Sequence, residues 1–154
     1  MKTWRVCSSR YKATALNGQG AFLYGGRWNS AGKRAIYTGP SVAAAVLEIL
    51  VHAGSLTQKY VAIQLEVPSR LVTELDMKGA PTDWQRRSHW CQKQGDDWFN
   101  DPKSSLGLIV PSAVLGTGIP ERNLVLNVDH KDFSKVRSLA KPLDLWLDER
   151  LGPP

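Results

Sequence analysis

The sequence predicts an α+β fold, and three observations lead there. Val61, Ile63, Leu65 and Val67 alternate with Ala62, Gln64 and Glu66, a two-residue period that predicts a strand over Tyr60–Val67 stopped by Pro68. SVAAAVLEILVHAG predicts a helix, with Ser41 as its N-cap and Gly54 just past its end. Strands and helices elsewhere do not alternate regularly enough for a doubly wound parallel sheet. With 154 residues, 42% apolar and 22% charged, the chain matches one compact domain with a single core. That domain takes in residues 1–154, with 151–154 as a fraying tail.

The remaining elements follow in order. AIYT (Ala35–Thr38) is a short β-prone run leading into the helix. The strand at Tyr60–Val67 is expected to carry one polar face. Leu71–Leu75 predicts another short strand. DWQRRSHWCQK (Asp83–Lys93) suits a helix bearing Trp84, Arg87 and Cys91 at spacings of three and four, interrupted by Gly95. Leu106–Pro111 and Asn123–Val128 predict strands, and KVRSLAKPLDLWL near the end a strand or a short helix. No internal repeat is present.

Several function classes drop out. Cys7 and Cys91 are far apart and outside any zinc or redox spacing, so both are expected as reduced thiols, with Cys91 packing on its helix. His52, His89 and His130 are spaced as no common metal site requires, and no metal is expected. No Walker loop, G-x-G-x-x-G, H-E-x-x-H or G-x-S-x-G occurs. No run approaches the length of a membrane span, and MKTWRVCSSR lacks an apolar h-region, which predicts a soluble, cytoplasmic protein without membrane contact. The net charge of +6 favours an anionic partner, but the basic residues are scattered, so direct nucleic-acid binding by this chain alone is not expected.

GGRWNSAGKRAIYT (Gly25–Thr38) places an arginine and a tryptophan at a glycine corner, where backbone and guanidinium could hold an anion. Trp28 reads as packing beneath that loop. Glu48 is anomalous. It lies inside VAAAVLEILVH, on a helix apolar nearly all round, and shares a face with His52. Burying a carboxylate without partners is costly, so Glu48 either faces a polar cavity or pairs with a lysine or arginine.

Taken together, these residues resemble the RES domain family, named for a recurring arginine, glutamate and serine. GGRWNSAGKRAIYT followed by SVAAAVLEILVH resembles its glycine-arginine-tryptophan loop, tyrosine strand and glutamate helix. GDDWFN, LIVPSAV and NLVLNVDHKDF resemble its later blocks, with Asn127-Val128-Asp129-His130 where many relatives have Asn-Pro-x-His. The resemblance implies a fold similar to ADP-ribosyltransferases, with a mixed β-sheet core and flanking helices. It implies a bacterial toxin that consumes NAD+ as substrate, with inorganic phosphate as a possible co-substrate and no resident cofactor. It also implies an antitoxin partner of the helix-turn-helix (Xre) type that covers the active site. Carried over by position, it makes Arg27, Tyr37, Glu48 and Ser112 the catalytic set, with Gly26, Asn123 and His52 contributing to substrate binding.

The chemistry of these residue types suits that assignment. Breaking the nicotinamide–ribose bond creates oxocarbenium character that a carboxylate at Glu48 would stabilise, and Glu48 could also accept from a ribose hydroxyl. Arg27 offers a forked donor set for a pyrophosphate. Tyr37 offers a ring face to nicotinamide and a hydroxyl to the ribose or to Glu48, while Ser112 and Asn123 would orient the sugar. On the residues alone Ser112 reads as a turn residue, Asn123 as a strand-start cap and His52 as a C-terminal residue matched to the helix dipole. Phosphate, water and a protein side chain would all attack the same ribose carbon, and the sequence leaves all three open. Transfer of ADP-ribose to a protein is the alternative activity, and a basic binding module the alternative of another class.

Overall fold

The computed structural model describes residues 1–53, 58–115, 118–148 and 151, without the side chains of residues 52 and 53. Among these residues two four-stranded sheets form the core. In the first, β1 (Lys2–Ser8) runs antiparallel to β3 (Tyr60–Glu66), from Lys2 opposite Glu66 to Ser8 opposite Tyr60. The far edge of β3 carries β7 (Arg137–Ser138) at one end and β8 (Leu143–Leu145) at the other. The second sheet has the order β2-β6-β5-β4, from β2 (Ala35–Thr38), β6 (Arg122–Asn127), β5 (Gly107–Pro111) and β4 (Val72–Glu74). Its β4–β5 pair is parallel and its other pairs antiparallel, so this sheet is mixed. Trp4 and Gly39 exchange two backbone hydrogen bonds, of 2.8 and 2.9 Å, that stitch β1 to the end of β2 and join the sheets at a corner.

Among the described residues three helices flank this core: α1 (Gln19–Tyr24), α2 (Val42–Ala53) and α3 (Ser88–Asn100). Ser41 caps α2 as its sequence predicts, its Oγ accepting the Ala44 N–H at 3.1 Å; Gly54 lies outside the described residues. The alternation in β3 is real, but the expected polar face is half filled. Val61, Ile63, Leu65 and Val67 pack with Ile36, Leu124 and Leu126 between the sheets. Tyr60 and Ala62, on the opposite face, are buried under α2 with Val6 and Ala45. Only Gln64 and Glu66 leave the core, because α2 covers just one half of the strand.

A third cluster, with Trp28, Trp84, Cys91, Leu108 and Val125, joins α3 to the second sheet. Here the sequence misleads about Gly95. The helix does not run from Asp83 to a break at Gly95; a 3-10 turn at Trp84–Arg86 precedes α3, which passes straight through Gly95 to Asn100. A Cβ at Gly95 would stand 1.7 Å from the Trp28 carbonyl oxygen, so this glycine lets two backbones touch. The closing segment resolves to two strands, with Pro142 between them. Sequence reading missed β1 and α1. Apolar residues of β1 serve clusters on both its faces, Cys7 on one and Trp4 and Val6 on the other, with two charges interleaved, so no clean alternation shows. Helix α1, at 6 residues, is too short for a periodic signal.

Candidate active site

The loop between α1 and β2 builds one side of the site. Gly25 adopts φ +70°, which suits glycine, and the Gly26 N–H closes the corner onto the Asn29 carbonyl at 2.9 Å. Tyr37 reaches up from β2 beneath it. Its hydroxyl accepts the Trp28 N–H at 2.9 Å and donates to Asn29 Oδ1 at 2.6 Å. Burial pushes the Tyr37 hydroxyl well above the usual tyrosine range, against the opposing effect of the Trp28 amide. A Cβ at Gly26 would meet that hydroxyl at 2.6 Å, which is the packing reason for the second glycine. The hydroxyl therefore props the loop, its two hydrogen bonds going to Trp28 and Asn29 and not to Glu48. Trp28 lies buried below, its ring 5.7 Å from Trp84.

Arg27 extends from this corner. Its Nη1 donates to the Gln85 carbonyl at 3.0 Å and to Ser88 Oγ at 3.1 Å. Both acceptors are neutral, so the side chain is oriented while its charge remains available.

Glu48 comes from α2 and meets partners from two other elements. Its Oε1 accepts from Ser112 Oγ at 2.7 Å and from Asn123 Nδ2 at 2.7 Å. Among the described residues it forms no salt bridge, which removes the surface ion pair and leaves the polar cavity as its setting. Ser112 sits just past β5, is 5% exposed, and its oxygen also takes the Val114 and Leu115 N–H groups at 3.2 and 3.3 Å. Its reach to the cavity is through Glu48 rather than direct, which makes it a positioning residue by geometry.

One cleft of about 1060 Å³ gathers Arg27, Tyr37, Glu48 and Asn123 on its walls, together with Gly26. The side chain of His52 lies outside the described residues. His130 is elsewhere, its ring bridging the Ser104 carbonyl at 3.1 Å and the Asp132 N–H at 3.1 Å, so the Asn127–His130 turn is structural. Among the described residues no three His, Cys, Asp or Glu side chains converge on a metal position, and no helix is long and apolar enough to cross a membrane.

The sequence reading missed Arg5. From β1 it lines the same cleft, donating Nη1 to the Tyr37 carbonyl at 3.2 Å, while its buried Nε has no acceptor among the described residues. Burial pulls its guanidinium below the usual arginine value, with Cys7 acting the other way. A desolvated cation without a carboxylate partner is costly, and an anion in the cleft would offset that cost. The signal was available: a lone charge inside the β-prone run TWRVC, in phase with Thr3 and Cys7.

Comparison with known proteins places nearly the whole chain in one family. The RES domain family model matches residues 2–148. A protein named Toxin Res from Photorhabdus laumondii is 38% identical, over 98% of this chain and 97% of its own. A Toxin Res from Yersinia enterocolitica is 37% identical, covering 98% and 99%. A protein from Sphingobium named Prs ADP-ribosylating toxin is 30% identical, covering 94% and 91%. Among solved structures, a chain of the Mycobacterium tuberculosis MbcT–MbcA toxin–antitoxin complex shares the fold, with a TM-score of 0.65 at 21% identity over 94% of this chain and 81% of that one. With the arginine loop, the glutamate helix and the buried serine assembled around one cleft, and with the family pattern matching nearly end to end, this chain belongs to the RES domain family.

Proposed function

We propose that this protein is a toxin that consumes NAD+ by cleaving the nicotinamide–ribose bond in the cleft between α2 and the Gly25–Ser30 loop. One observation carries the reading: Glu48 is held by two neutral donors in the same cleft as two guanidinium groups that have no acidic partner among the described residues. An ion pair would have cancelled the carboxylate's charge. Hydroxyl and amide donors fix its direction and leave the charge to act on a reacting centre. Both bonds from the described residues fall on Oε1, which assigns Oε2 to face the ribose.

As the C1′–N bond breaks, its electron pair leaves with neutral nicotinamide and positive charge grows on the ribose. Glu48 stabilises that charge more than the ground state. Arg27 and Arg5 hold the pyrophosphate, and Asn123 orients the sugar edge. An oxygen nucleophile then bonds to C1′; water or a hydroxyl loses its proton in that step, whereas a phosphate dianion brings none that must leave. The cleft volume lies at the top of the roughly 300–1,000 Å³ range of small-molecule pockets, which suits a dinucleotide with room for an acceptor. The names of the relatives support a toxin held in check by an antitoxin, and an exposed apolar rim of Leu23, Tyr24 and Val51 on this cleft gives such a partner a surface. An Xre-type partner and action in the cytoplasm, where NAD+ is abundant, complete the proposal.

The test is nicotinamide release from NAD+ in phosphate buffer. Wild type should release it and Glu48→Gln should be slower by about 10²–10³-fold at unchanged melting temperature, since glutamine keeps an acceptor for Ser112 and a similar shape. Intact NAD+ with folded wild type would refute the reading. Product masses distinguish phosphate from water as acceptor. The Sphingobium relative's name favours a second reading, transfer of ADP-ribose to a protein; labelled NAD+ in a cell lysate would then yield a labelled protein band.

A further inference from the structure

Four residues of α3 meet the Gly25–Ser30 loop, at Gly26, Arg27, Trp28 and Ser30. Ser88 Oγ accepts from Arg27 Nη1, and Gln92 Nε2 donates to the Gly26 carbonyl at 3.2 Å. Gly95 receives the Trp28 carbonyl against its backbone. Asp96 accepts the Ser30 N–H at 3.0 Å and the Ser30 hydroxyl at 2.5 Å, and Lys33 Nζ lies 3.5 Å from its Oδ1. Positions 88, 92, 95 and 96 follow the helical repeat and form one stripe. This polar stripe interrupts a helix face that otherwise buries Cys91 with Trp90 and Trp98. Core packing alone gives no reason for it.

We infer that α3 is the positioning element of the anion clamp: Ser88 and Asp96 set the reach and direction of Arg27 without being the groups that carry its charge. The inference rests on the reading of Arg27 as the group that binds the substrate's pyrophosphate. Ser88 acts at the guanidinium itself. Asp96 acts one step back, locking Ser30 so that the glycine corner cannot roll. Because the residue that meets the guanidinium, Ser88, is neutral, the clamp stays oriented and cationic together, which a carboxylate at position 88 would prevent.

The experiment measures binding of inorganic pyrophosphate by calorimetry for wild type, Ser88→Ala, Asp96→Asn and Arg27→Ala, and for each α3 change combined with Arg27→Ala. Melting temperature and the KM and kcat for NAD+ are read beside it. Residues acting through Arg27 must be non-additive with it. Ser88→Ala and Asp96→Asn should weaken pyrophosphate binding about 5–10-fold in wild type and less than about 2-fold once Arg27 is gone. KM should rise with kcat nearly unchanged, because a clamp on the diphosphate holds substrate and transition state alike. Ser88→Thr, which keeps the hydroxyl, should restore most of the binding. Equal losses with and without Arg27, or no loss in folded variants, would overturn the inference. Should Asp96→Asn fail to fold, exposed Ser88→Ala carries the test alone. Nicotinamide release without Arg27-dependent pyrophosphate binding overturns the clamp and leaves the proposed reaction standing. Pyrophosphate binding without nicotinamide release does the reverse.

Discussion

The two charged corners of the cleft are built in opposite ways from the same idea. Glu48 and Arg27 are both held by neutral partners, so each is aimed without being neutralised. The carboxylate corner is assembled from three distant elements, with Ser112 64 positions from Glu48 and Asn123 75 positions away. The arginine corner is one short loop, bonded to itself, to Tyr37 below and to α3 beside it. The first depends on the sheet holding its register, the second on one helix staying docked. Damage to one corner should therefore look different from damage to the other.

The largest effect should come from Gly95→Ala. The added Cβ would lie 1.7 Å from the Trp28 oxygen and 2.6 Å from its carbon, both backbone atoms that cannot turn aside. Overpacking of this kind costs about 3 kcal/mol or more, roughly 6–12 °C in Tm, with α3 pushed off the loop and pyrophosphate binding lost. A variant that melts like wild type and still binds pyrophosphate would break the claim that α3 holds this corner. Next comes the carboxylate corner. Asn123→Ala should lower nicotinamide release about 100-fold and Ser112→Ala about 10-fold, both mainly in kcat, with pyrophosphate binding unchanged. If either change instead raised KM alone, Glu48 would be a binding group and the division between corners would fail.

The same contrast explains what could be read from the sequence. The arginine loop, Tyr37 and the glutamate helix are contiguous, and their glycines, cap and stranded carboxylate are local signals, so they were legible as residues and, through the family resemblance, as a site. That Glu48 faces a cavity could be argued from the cost of burying its charge. Its partners could not, because which strand end lies beside α2 depends on register, and on residue type alone Ser112 and Asn123 read as a turn and a cap. Gly95 and Arg5 escaped for one reason: each is a tertiary feature, one a backbone contact that read as a break in a helix and the other a cation turned into the cleft from a strand without clean alternation. Tyr37 was found but its hydroxyl's partners were not, since nothing in the sequence shows the Trp28 amide and Asn29 closing over it.

Tyr37→Phe sharpens that last point with a smaller effect. The change removes one acceptor and one donor from beneath the loop and should cost about 1–3 kcal/mol of stability. Nicotinamide release per folded molecule should fall only a few-fold, about what a slightly looser Arg27 implies. A loss beyond about 100-fold at unchanged Tm would place the hydroxyl on the substrate and not under the loop.

The smallest effect is a pH dependence confined to the arginine corner. Burial alone would raise the Asp96 carboxyl, but the two hydrogen bonds from Ser30 and the nearby Lys33 outweigh it and hold it below the usual aspartate range. A carboxyl whose folded value lies below its unfolded one stabilises the fold fully above the unfolded value, about 3.9. That contribution drains away as pH falls through the folded value. The stability difference between wild type and Asp96→Asn should thus be flat from about pH 8 to 5 and shrink below about pH 4, measured by denaturant unfolding at each pH. Across the same interval the difference between wild type and Gly95→Ala should not close, because a steric overlap carries no proton. A gap for Asp96→Asn that stayed constant into strong acid would mean that Ser30 is held by shape and that the carboxylate's charge contributes nothing to docking the loop.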